Sequence, residues 1–367
     1  MTEELKKMLV PDELSAVVEK ILQGKRIDRE EALQLIKIAS PGLLGLLADK
    51  IRSEKNGAYV WYVHNFHIEP TNICIHRCKF CAFRSEITGD AWELSLEEIR
   101  EIVSNADRSA GEVHITGGVH PDRDLEYYIR LIRLIREVRP DLHIKAYSAV
   151  EIDDMAQRAG VAPREILVQL KEAGLDALPG GGAEIFAPEL RKVICPDKTD
   201  AAGYLAIHRD AHKLGIFSNA TMLYGHFENW EQRIDHILKV RDLQDETGGF
   251  KAFIPLKFRR MNNSMSEIEE GSLVDDLRVF AISRILLDNV DHIKAYWPML
   301  GKSVTGLLLG FGVDDIDGTI NDSTQIYSRA GAEEKNPVMT VTEFEAMSVG
   351  QGRKAVLRNA DYQEIVL

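Results

Sequence analysis

The sequence Cys74-Ile75-His76-Arg77-Cys78-Lys79-Phe80-Cys81 places three of the chain's four cysteines within eight residues. It follows a short apolar run, His64–Ile68, which we predict to be a buried β-strand. Thiolates are the ligands of iron–sulfur clusters, and a [4Fe–4S] cluster normally takes four of them. The fourth cysteine, Cys195, lies far along the chain. The spacing of Cys74, Cys78 and Cys81 therefore predicts a cluster with one iron left open for a small molecule.

A zinc site completed by His76 or His67 is the alternative for these cysteines. Structural zinc sites often use paired Cys-x-x-Cys spacings, and a triplet with three and then two intervening residues fits that pattern poorly. Cys195, in Ile194-Cys195-Pro196, is predicted to be structural. Three cysteines so close together also do not resemble the scatter of a disulfide framework.

The composition is that of an ordinary globular protein. The 367 residues are 45% hydrophobic and 28% charged, and the formal net charge is −13. So acidic a chain binds nucleic acid poorly, because phosphate binding needs clustered Lys and Arg. The N-terminal sequence lacks a secretory signal pattern, and no run of about 18 apolar residues predicts a membrane span. We expect a cytoplasmic protein with neither nucleic acid nor membrane as a partner.

Strand and helix patterns alternate from about residue 60 onward. The predicted strands are His64–Ile68, Val113–Thr116, His143–Ser148, Ala177–Pro179, Phe217–Thr221, Ala252–Leu256, Ile293–Trp297 and Gly312–Ile316. The predicted helices between them are Leu96–Asn105, Asp124–Arg139, Pro163–Ala173, Ala201–Leu214, Trp230–Glu246 and Leu273–Leu287. Eight strands alternating with helices predict an α/β protein, a closed (β/α)8 barrel of the TIM type.

Two segments flank the predicted barrel. Residues 1–60 carry apolar stripes at helical spacing and are predicted to form an N-terminal helical extension. The barrel is assigned to residues 61–320, and residues 321–367 to a C-terminal segment that packs back on it. In such a barrel the loops after the strands form the active-site face, so the functional residues are expected there.

The cysteine motif at the end of the first strand resembles that of the radical S-adenosylmethionine (SAM) superfamily. In that family an aromatic residue recurs just before the third cysteine, where this chain has Phe80. The resemblance implies a [4Fe–4S] cluster whose open iron binds the amino and carboxylate groups of SAM. It further implies that reduction, by a donor such as flavodoxin or ferredoxin, releases methionine and a 5′-deoxyadenosyl radical.

Glycines after the predicted strands are candidates for holding SAM. Gly117 and Gly118 let the backbone approach a ligand closely. The family's Gly-Gly-Glu-like segment has an acidic residue that is absent here, so only the backbone role is carried over. Gly181 and Gly182 lie in Pro179–Glu184, which could approach the adenosyl end of SAM or the substrate.

Two glutamates are candidates for the same cofactor. Glu151 follows the third predicted strand, where it could bind the ribose or the ammonium of SAM, or could simply lead a helix on the surface. Glu184 could bind a ribose hydroxyl.

The remaining strand-end residues are candidates for proton transfer and substrate binding. His226 could carry a proton or be a hydrogen-bonded loop histidine. His208 and His212 share a helix face without the glutamate of a zinc-binding H-E-x-x-H motif, so we predict a structural role. Lys257 and its basic neighbours could bind an anion or form a solvated charge run, and the aspartates after the eighth strand could face the centre or cap a turn. The substrate-binding candidates are Arg84, Asn219, Thr221, Lys257, Arg259 and Asp315.

Several loops together are similar to the futalosine-pathway branch of radical SAM enzymes, and most of all to its aminofutalosine synthase family of menaquinone biosynthesis. They are Asn72–Phe83, Leu178–Phe186, Ala220–Glu228, Leu243–Phe258 and Gly312–Thr319. The family's radical adds to the enol-ether double bond of 3-[(1-carboxyvinyl)oxy]benzoate, and rearrangement with loss of the enol carboxylate gives aminodeoxyfutalosine. A substrate with two carboxylates requires local positive charge in this acidic protein.

Three other readings remain at the level of sequence. The sister family of the same branch cyclises dehypoxanthine futalosine after hydrogen abstraction. A sulfur-inserting enzyme would need ligands for a second cluster, and Cys195 is the single spare cysteine. An electron-transfer protein would normally be small and supply four ligands to its cluster.

Overall fold

The computed structural model describes residues 8–85, 89–318, 325–332 and 338–366. Its N-terminal part is helical, as the apolar stripes predicted. A 3-10 turn at Asp12–Leu14 leads into α1 (Ser15–Leu22), α2 (Arg29–Ile38) and α3 (Pro41–Asn56). The start of α2 is fixed by a capping box, because the Asp28 side chain accepts from the backbone N–H of Glu31.

Nine strands follow among the described residues. They are β1 (Tyr59–Tyr62), β2 (Asn65–Ile68), β3 (Glu112–Ile115), β4 (His143–Ala146), β5 (Ala177–Leu178), β6 (Phe217–Tyr224), β7 (Phe250–Lys257), β8 (His292–Ile293) and β9 (Lys354–Leu357). Strands β2 to β8 form one parallel seven-stranded sheet in chain order, and this sheet curls into a partial barrel. Strand β1 pairs in parallel with β9 in a separate two-stranded sheet.

Helices connect the parallel strands, and further helices follow β8. They are α4 (Leu96–Asn105), α5 (Leu125–Val138), α6 (Ala149–Ala159), α7 (Pro163–Ala173), α8 (Pro188–Ile194), α9 (Ala201–Lys213), α10 (Trp230–Thr247), α11 (Leu273–Leu286), α12 (Trp297–Leu300), α13 (Lys302–Leu308), α14 (Ile326–Arg329) and α15 (Val341–Val349), with a 3-10 turn at Leu309–Phe311. The predicted α/β class is confirmed, and the predicted α4 and α7 match to the residue.

The eighth predicted strand, Gly312–Ile316, differs from the prediction. Asp315 forms single parallel bridges with Trp61 and with Lys294 in place of a continuous strand. The neighbouring aspartate explains the difference, because Asp314 Oδ1 accepts the backbone N–H of Ile293 at 2.9 Å. A side-chain carboxylate thus takes a hydrogen bond that a strand's backbone carbonyl would otherwise accept.

The flanking segments pack against the barrel. On the outer face Arg29 Nε lies 2.6 Å from Asp235 Oδ1 of α10, and α3 lies against α11. At the other end of the chain Phe344 of α15 stacks on Tyr62 of β1, with ring centroids 4.7 Å apart. Nowhere in the described ranges is there a helix both long and apolar enough to cross a bilayer.

Candidate active site

The cysteine loop is tied to three separate parts of the barrel. The backbone N–H of Lys79 donates to Ile194 O at 2.8 Å, and Lys79 O accepts from Ser264 at 2.8 Å. Ile75 donates its backbone N–H to Val119 O at 2.9 Å. These contacts join the loop to the segments after β3, β5 and β7, so the loop sits at the carboxyl ends of the strands, where the sequence placed it.

Gly118 provides a close backbone support for this loop. A Cβ built at Gly118 would lie 2.1 Å from Ile73 O and 3.0 Å from Cys74 Cβ, so no other residue fits without moving the loop. The neighbouring backbone N–H of Val119 points at Cys74 Sγ, 3.3 Å away. Gly117 is almost as tightly placed, with Thr71 O 3.0 Å from its hypothetical Cβ. The paired glycines therefore act on the cysteine loop directly.

The three cysteines of the loop are half-buried free thiols. Burial raises the pKa of Cys74, and it raises the pKa of Cys78 to about 12, because a thiolate is poorly solvated there. A metal that replaces the lost solvation would stabilise the thiolate form. In the described part of the chain, no three His, Cys, Asp or Glu side chains converge on a single metal ion. A zinc ion takes its ligands on one metal, whereas a four-iron cluster takes each thiolate on a different iron.

Three cavities lead from the cysteine loop into the barrel. The outer cavity, of about 540 Å³, is lined by Arg77, Cys78, Cys81, Arg84 and the segment 262–266. The middle cavity, of about 280 Å³, includes Phe80, Cys81, Gly117, Glu151 and Lys198 in its wall. The inner cavity, of about 140 Å³, shares Thr116, Pro179, Gly181, Leu256 and Ile326 with the middle cavity, so the two are continuous.

Glu151 lies at the start of a helix and also lines a cavity, and its contact with SAM stays a prediction. It is the third residue of α6, where its carboxylate accepts the backbone N–H of Ser148 at 2.7 Å and the Ser148 hydroxyl at 2.9 Å. It also lines the middle cavity. Burial raises the pKa of Glu151 to about 7. The hydrogen bonds at the start of α6 thus fix, in the cavity wall, a carboxyl group whose pKa lies near neutral pH.

Glu184 and Lys198 form an ion pair in the same wall, with Lys198 Nζ 2.6 Å from Glu184 Oε1. The ammonium also lies 5.4 Å from the ring centroid of Phe80. Burial alone would lower the pKa of Lys198, but Cys78 and Glu184 raise it well above its usual value. The sequence analysis missed Lys198, since no strand-end pattern marks it.

The glycines after β5 let the backbone of this part of the cavity wall pack closely against Asn219 and Val150. Gly180 has φ +89°, and a Cβ there would lie 2.2 Å from Asn219 O. Gly182 has φ +93°, and a Cβ there would lie 2.6 Å from Val150. Gly181, between them, lines both the middle and inner cavities, and a Cβ there would make only an ordinary contact, 3.9 Å from Ser148 Cβ. The backbone of this turn is therefore exposed to any molecule in the cavities.

The inner cavity is lined by basic side chains that the sequence analysis did not select. They project from the strands and from the residue after β8: His67, His114, Lys145 and Lys294. Burial lowers the pKa of Lys145 and lowers that of His114 to about 4. The pattern that could have revealed them is a charged or polar residue inside a predicted buried strand, as in His143-Ile144-Lys145.

Most predicted substrate-binding residues lie on these cavities, several of them already paired. Asn219 and Thr221 line the inner cavity, and Arg84 lines the outer one. Lys257 and Arg259 line the middle cavity, where they pair with Asp276 at 2.7 Å and with Glu270 at 3.0 Å.

Two of the residues predicted for catalysis or substrate binding do not line these cavities. The His226 side chain is fully enclosed, with Nδ1 3.1 Å from Glu228 Oε2, and burial lowers its pKa. Asp315 is fully buried beside Arg358, whose Nη2 lies 3.0 Å from Asp315 Oδ2. Catalysis by His226 and substrate contact by Asp315 stay predictions without a supporting contact.

The remaining candidates have structural surroundings. His208 Nδ1 and His212 Nε2 each lie 2.8 Å from the Ser218 hydroxyl, so both rings support the start of β6. Cys195 is buried, with 2% of its surface exposed, directly after α8.

Comparison with known proteins identifies the class. Residues 68–240 match the radical SAM superfamily, and residues 247–366 match the CofH/MqnC C-terminal region. The chain belongs to the radical SAM superfamily and is a radical SAM enzyme, whose cofactors are a [4Fe–4S] cluster and SAM. It also carries the CofH/MqnC C-terminal region, which begins just before β7 and so includes the last two strands of the sheet.

Relatives of the same length exist in this branch. The chain is 41% identical over 358 residues to aminodeoxyfutalosine synthase of Thermus thermophilus, covering 96% of each protein. It is 39% identical to 5-amino-6-(D-ribitylamino)uracil–L-tyrosine 4-hydroxyphenyl transferase 1 of Methanosarcina barkeri, covering 97% of this chain and 94% of that one. The crystal structure of methylornithine synthase (PylB) superposes with a TM-score of 0.73 at 17% identity, covering 92% and 97% of the two chains, which shows a shared fold.

Proposed function

We propose that the protein is an aminodeoxyfutalosine synthase of menaquinone biosynthesis. It would join the 5′-deoxyadenosyl group of SAM to the enol-ether carbon of 3-[(1-carboxyvinyl)oxy]benzoate, with rearrangement and loss of the enol carboxylate. The observation that carries the proposal is the 41% identity to the Thermus synthase across 96% of both chains. Flavodoxin or ferredoxin is the proposed electron donor.

In this proposal Cys74, Cys78 and Cys81 hold the cluster. The residues of this chain fit such a group, because the thiols share one supported loop and two of them face the outer cavity. When bound, the cluster and SAM supply the 5′-deoxyadenosyl radical. The proposed SAM-binding residues of the middle-cavity wall are Phe80, Gly117, Glu151, Gly181, Gly182 and Glu184, and Gly118 supports the cysteine loop.

The chain's own contribution to the reaction is position and exclusion of water. The inner cavity lies between the strands and is continuous with the middle cavity, which leads to the cysteine loop. Enclosure keeps a reactive radical from solvent and from stray hydrogen atoms. Buried cations in the inner cavity support a substrate that carries carboxylates.

A second candidate follows from the Methanosarcina relative, whose 39% identity is nearly as high. In that reading the acceptor would be 5-amino-6-(D-ribitylamino)uracil and the donor L-tyrosine. The cyclisation of dehypoxanthine futalosine is the third reaction to compare.

The test is anaerobic incubation of the cluster-loaded enzyme with SAM, a reductant and each of the three substrate sets, followed by mass spectrometry. The proposal expects an adduct that retains the whole adenosine unit only with the enol-ether benzoate. Free 5′-deoxyadenosine together with a tyrosine–uracil coupling product would instead support the second candidate. Free 5′-deoxyadenosine together with a cyclised futalosine would support the third. A Cys78→Ala variant controls for reactions that do not need the cluster.

A further inference from the structure

The inner cavity has the size and the walls of a site for a single aromatic ring. Its volume is about 140 Å³, and its apolar lining includes Pro179, Ile254 and Leu256. An apolar cavity of about 150 Å³ holds a benzene molecule, so a six-membered ring fits here without displacing the strands. The polar groups are supplied by other side chains of the lining, chiefly Lys145 and Lys294.

Lys294 is the least tightly paired cation of this lining. Its Nζ lies 3.3 Å from Asp317 Oδ1 and 3.7 Å from Asp315 Oδ1. Asp315 is already engaged, since Arg358 lies 3.0 Å and the Tyr362 hydroxyl 2.6 Å from its Oδ2. An ammonium has three N–H donors, and only the contact to Asp317 is within hydrogen-bond distance among the described residues. Lys294 therefore retains donors for a guest.

Lys145 is held more firmly on the other side of the cavity. Its Nζ lies 2.9 Å from Glu112 Oε2 and 3.4 Å from His114 Nε2. Glu112 is shared, because Arg358 Nη1 lies 3.0 Å from its Oε1. Asn219 adds an amide to the same lining. Lys145, Lys294 and Arg358 are balanced in charge by Glu112, Asp315 and Asp317, so the N–H donors that Lys294 retains are what this end of the cavity offers to an anion.

We propose that the inner cavity binds the ring carboxylate of a benzoate, with Lys294 as the principal cation and Lys145 as the second. The inference rests on the proposed function and specifies which end of its substrate points inward. The double bond must stay at the cysteine side, where SAM is held, and the enol carboxylate is attached to that double bond. The aromatic ring then enters the inner cavity, and its meta carboxylate reaches the lysines.

The test compares the binding of two ligands to the anaerobic, cluster-loaded enzyme with SAM. The probes are 3-[(1-carboxyvinyl)oxy]benzoate and 2-phenoxyprop-2-enoate, which lacks only the ring carboxylate, and their Kd values are measured by equilibrium dialysis. The wild-type enzyme is expected to bind the dicarboxylate about tenfold or more tightly, because a charge-assisted hydrogen bond is lost with the carboxylate. Equal affinity for the two probes would overturn the proposal.

Variants assign the discrimination to Lys294. Lys294→Met is expected to bring the ratio of the two Kd values close to one, and Lys294→Arg to keep most of it. Lys354→Met is the control, because Lys354 is also paired with a carboxylate, Glu364 at 3.0 Å, but lies on β9 and lines none of the three cavities. A folded, cluster-containing Lys294→Met enzyme with the wild-type ratio would also overturn the proposal.

A neutral ligand covers the case in which Lys294→Met does not fold. The ring carboxamide has the shape of the carboxylate without its charge, and wild-type enzyme should bind it about tenfold more weakly. Binding as tight as that of the carboxylate would contradict the assignment. None of these Kd ratios requires turnover, so the two proposals can fail separately. If the enzyme forms the adenosylated product but the Kd ratio does not depend on Lys294, the proposed function stands and this binding site is wrong. If the Kd ratio depends on Lys294 but no product forms, the binding site stands and the proposed function is wrong.

Discussion

Lys198 and Glu184 face each other across 2.6 Å in the wall of the middle cavity, one residue contributed by the turn after β5 and the other by the segment after α8. The pair is enclosed, with 15% and 8% of the two side chains exposed. It orients the carboxylate that the sequence assigned to a ribose hydroxyl, and it places a positive charge beside Cys78.

Lys198→Met should therefore weaken SAM binding by about tenfold, because it removes the ammonium and leaves Glu184 enclosed without its partner. The Kd for SAM is measured with the cluster-loaded enzyme, and Lys198→Arg should recover part of the affinity. Lys192→Met is the control, since Lys192 is exposed on the neighbouring α8. Wild-type affinity in Lys198→Met would show that the pair only supports the wall.

The assignment of the cluster to three cysteines predicts a clear division among the four thiols. Alanine at Cys74, Cys78 or Cys81 should abolish both the visible iron–sulfur absorbance and SAM cleavage, because each would leave two ligands. Cys195→Ala, at a buried position next to the same loop, should keep both. Measured iron and sulfide contents check the result, and loss of iron from Cys195→Ala would show that a fourth thiolate takes part.

Gly118→Ala should disrupt cluster assembly, although the residue binds no metal itself. Its new methyl group would lie 2.1 Å from Ile73 O and must push away the chain that carries Cys74. Gly111→Ala is the matched control, because nothing lies within 4 Å of a Cβ there. We expect iron incorporation to fall several-fold in Gly118→Ala and to stay normal in Gly111→Ala. Equal iron content in the two variants would show that the cysteine loop can move to accommodate the new methyl group, and would contradict the prediction.

Glu151 predicts a dependence of stability on pH. Its pKa is raised by burial to about 7 in the folded chain, so the folded state binds the proton more tightly than the unfolded state does. The stabilising effect of the protonated carboxyl is complete below the usual pKa, near 4.5, and is lost as the pH rises towards 7. The free energy of unfolding should fall by about 3 kcal/mol across this window relative to Glu151→Gln.

Urea unfolding of the cluster-free protein at several pH values measures this difference. Glu98→Gln is the control, because Glu98 forms the same capping box with Ser95 at the exposed start of α4. Hydrogen bonds from Ser95 lower the pKa of Glu98, so any effect there has the opposite sign: stability present above the usual pKa is lost as the pH falls. A wild-type curve parallel to that of Glu151→Gln would contradict the prediction.

Much of the fold was predictable because the local hydrophobic patterns and helix caps of the sequence agree with the strands and helices of the folded chain. The alternation of apolar runs and amphipathic stretches is a property of the sequence itself, and α4 begins at Leu96 after a Ser95–Glu98 capping box that fixes its boundary. The pairing of β1 with β9 was not predictable, since nothing local to Tyr59–Tyr62 indicates a partner almost three hundred residues away.

Site residues that are close together in the sequence could be predicted. Site residues that come together only in the folded chain could not. Cys74, Cys78 and Cys81 reveal themselves by spacing. Lys145 and Lys294 reveal nothing alone, because a lysine in a strand points inward or outward according to a register that depends on the complete sheet. His226 stays a prediction for a related reason: its position in a strand-end loop is readable from the sequence, but the direction of its side chain, towards Glu228, is not.

Arg358 follows β9 and holds both Glu112 of β3 and Asp315, at 3.0 Å each. During synthesis on the ribosome, the cysteine loop and every segment that supports it emerge well before this arginine. Until Arg358 leaves the exit tunnel, Glu112 and Asp315 at the opposite end of the barrel have only Lys145 and Lys294 as counter-ions, and this end of the barrel lacks one of its buried contacts. The contacts that close the floor of the barrel are therefore made only after the cysteine loop and the segments that support it have been synthesised.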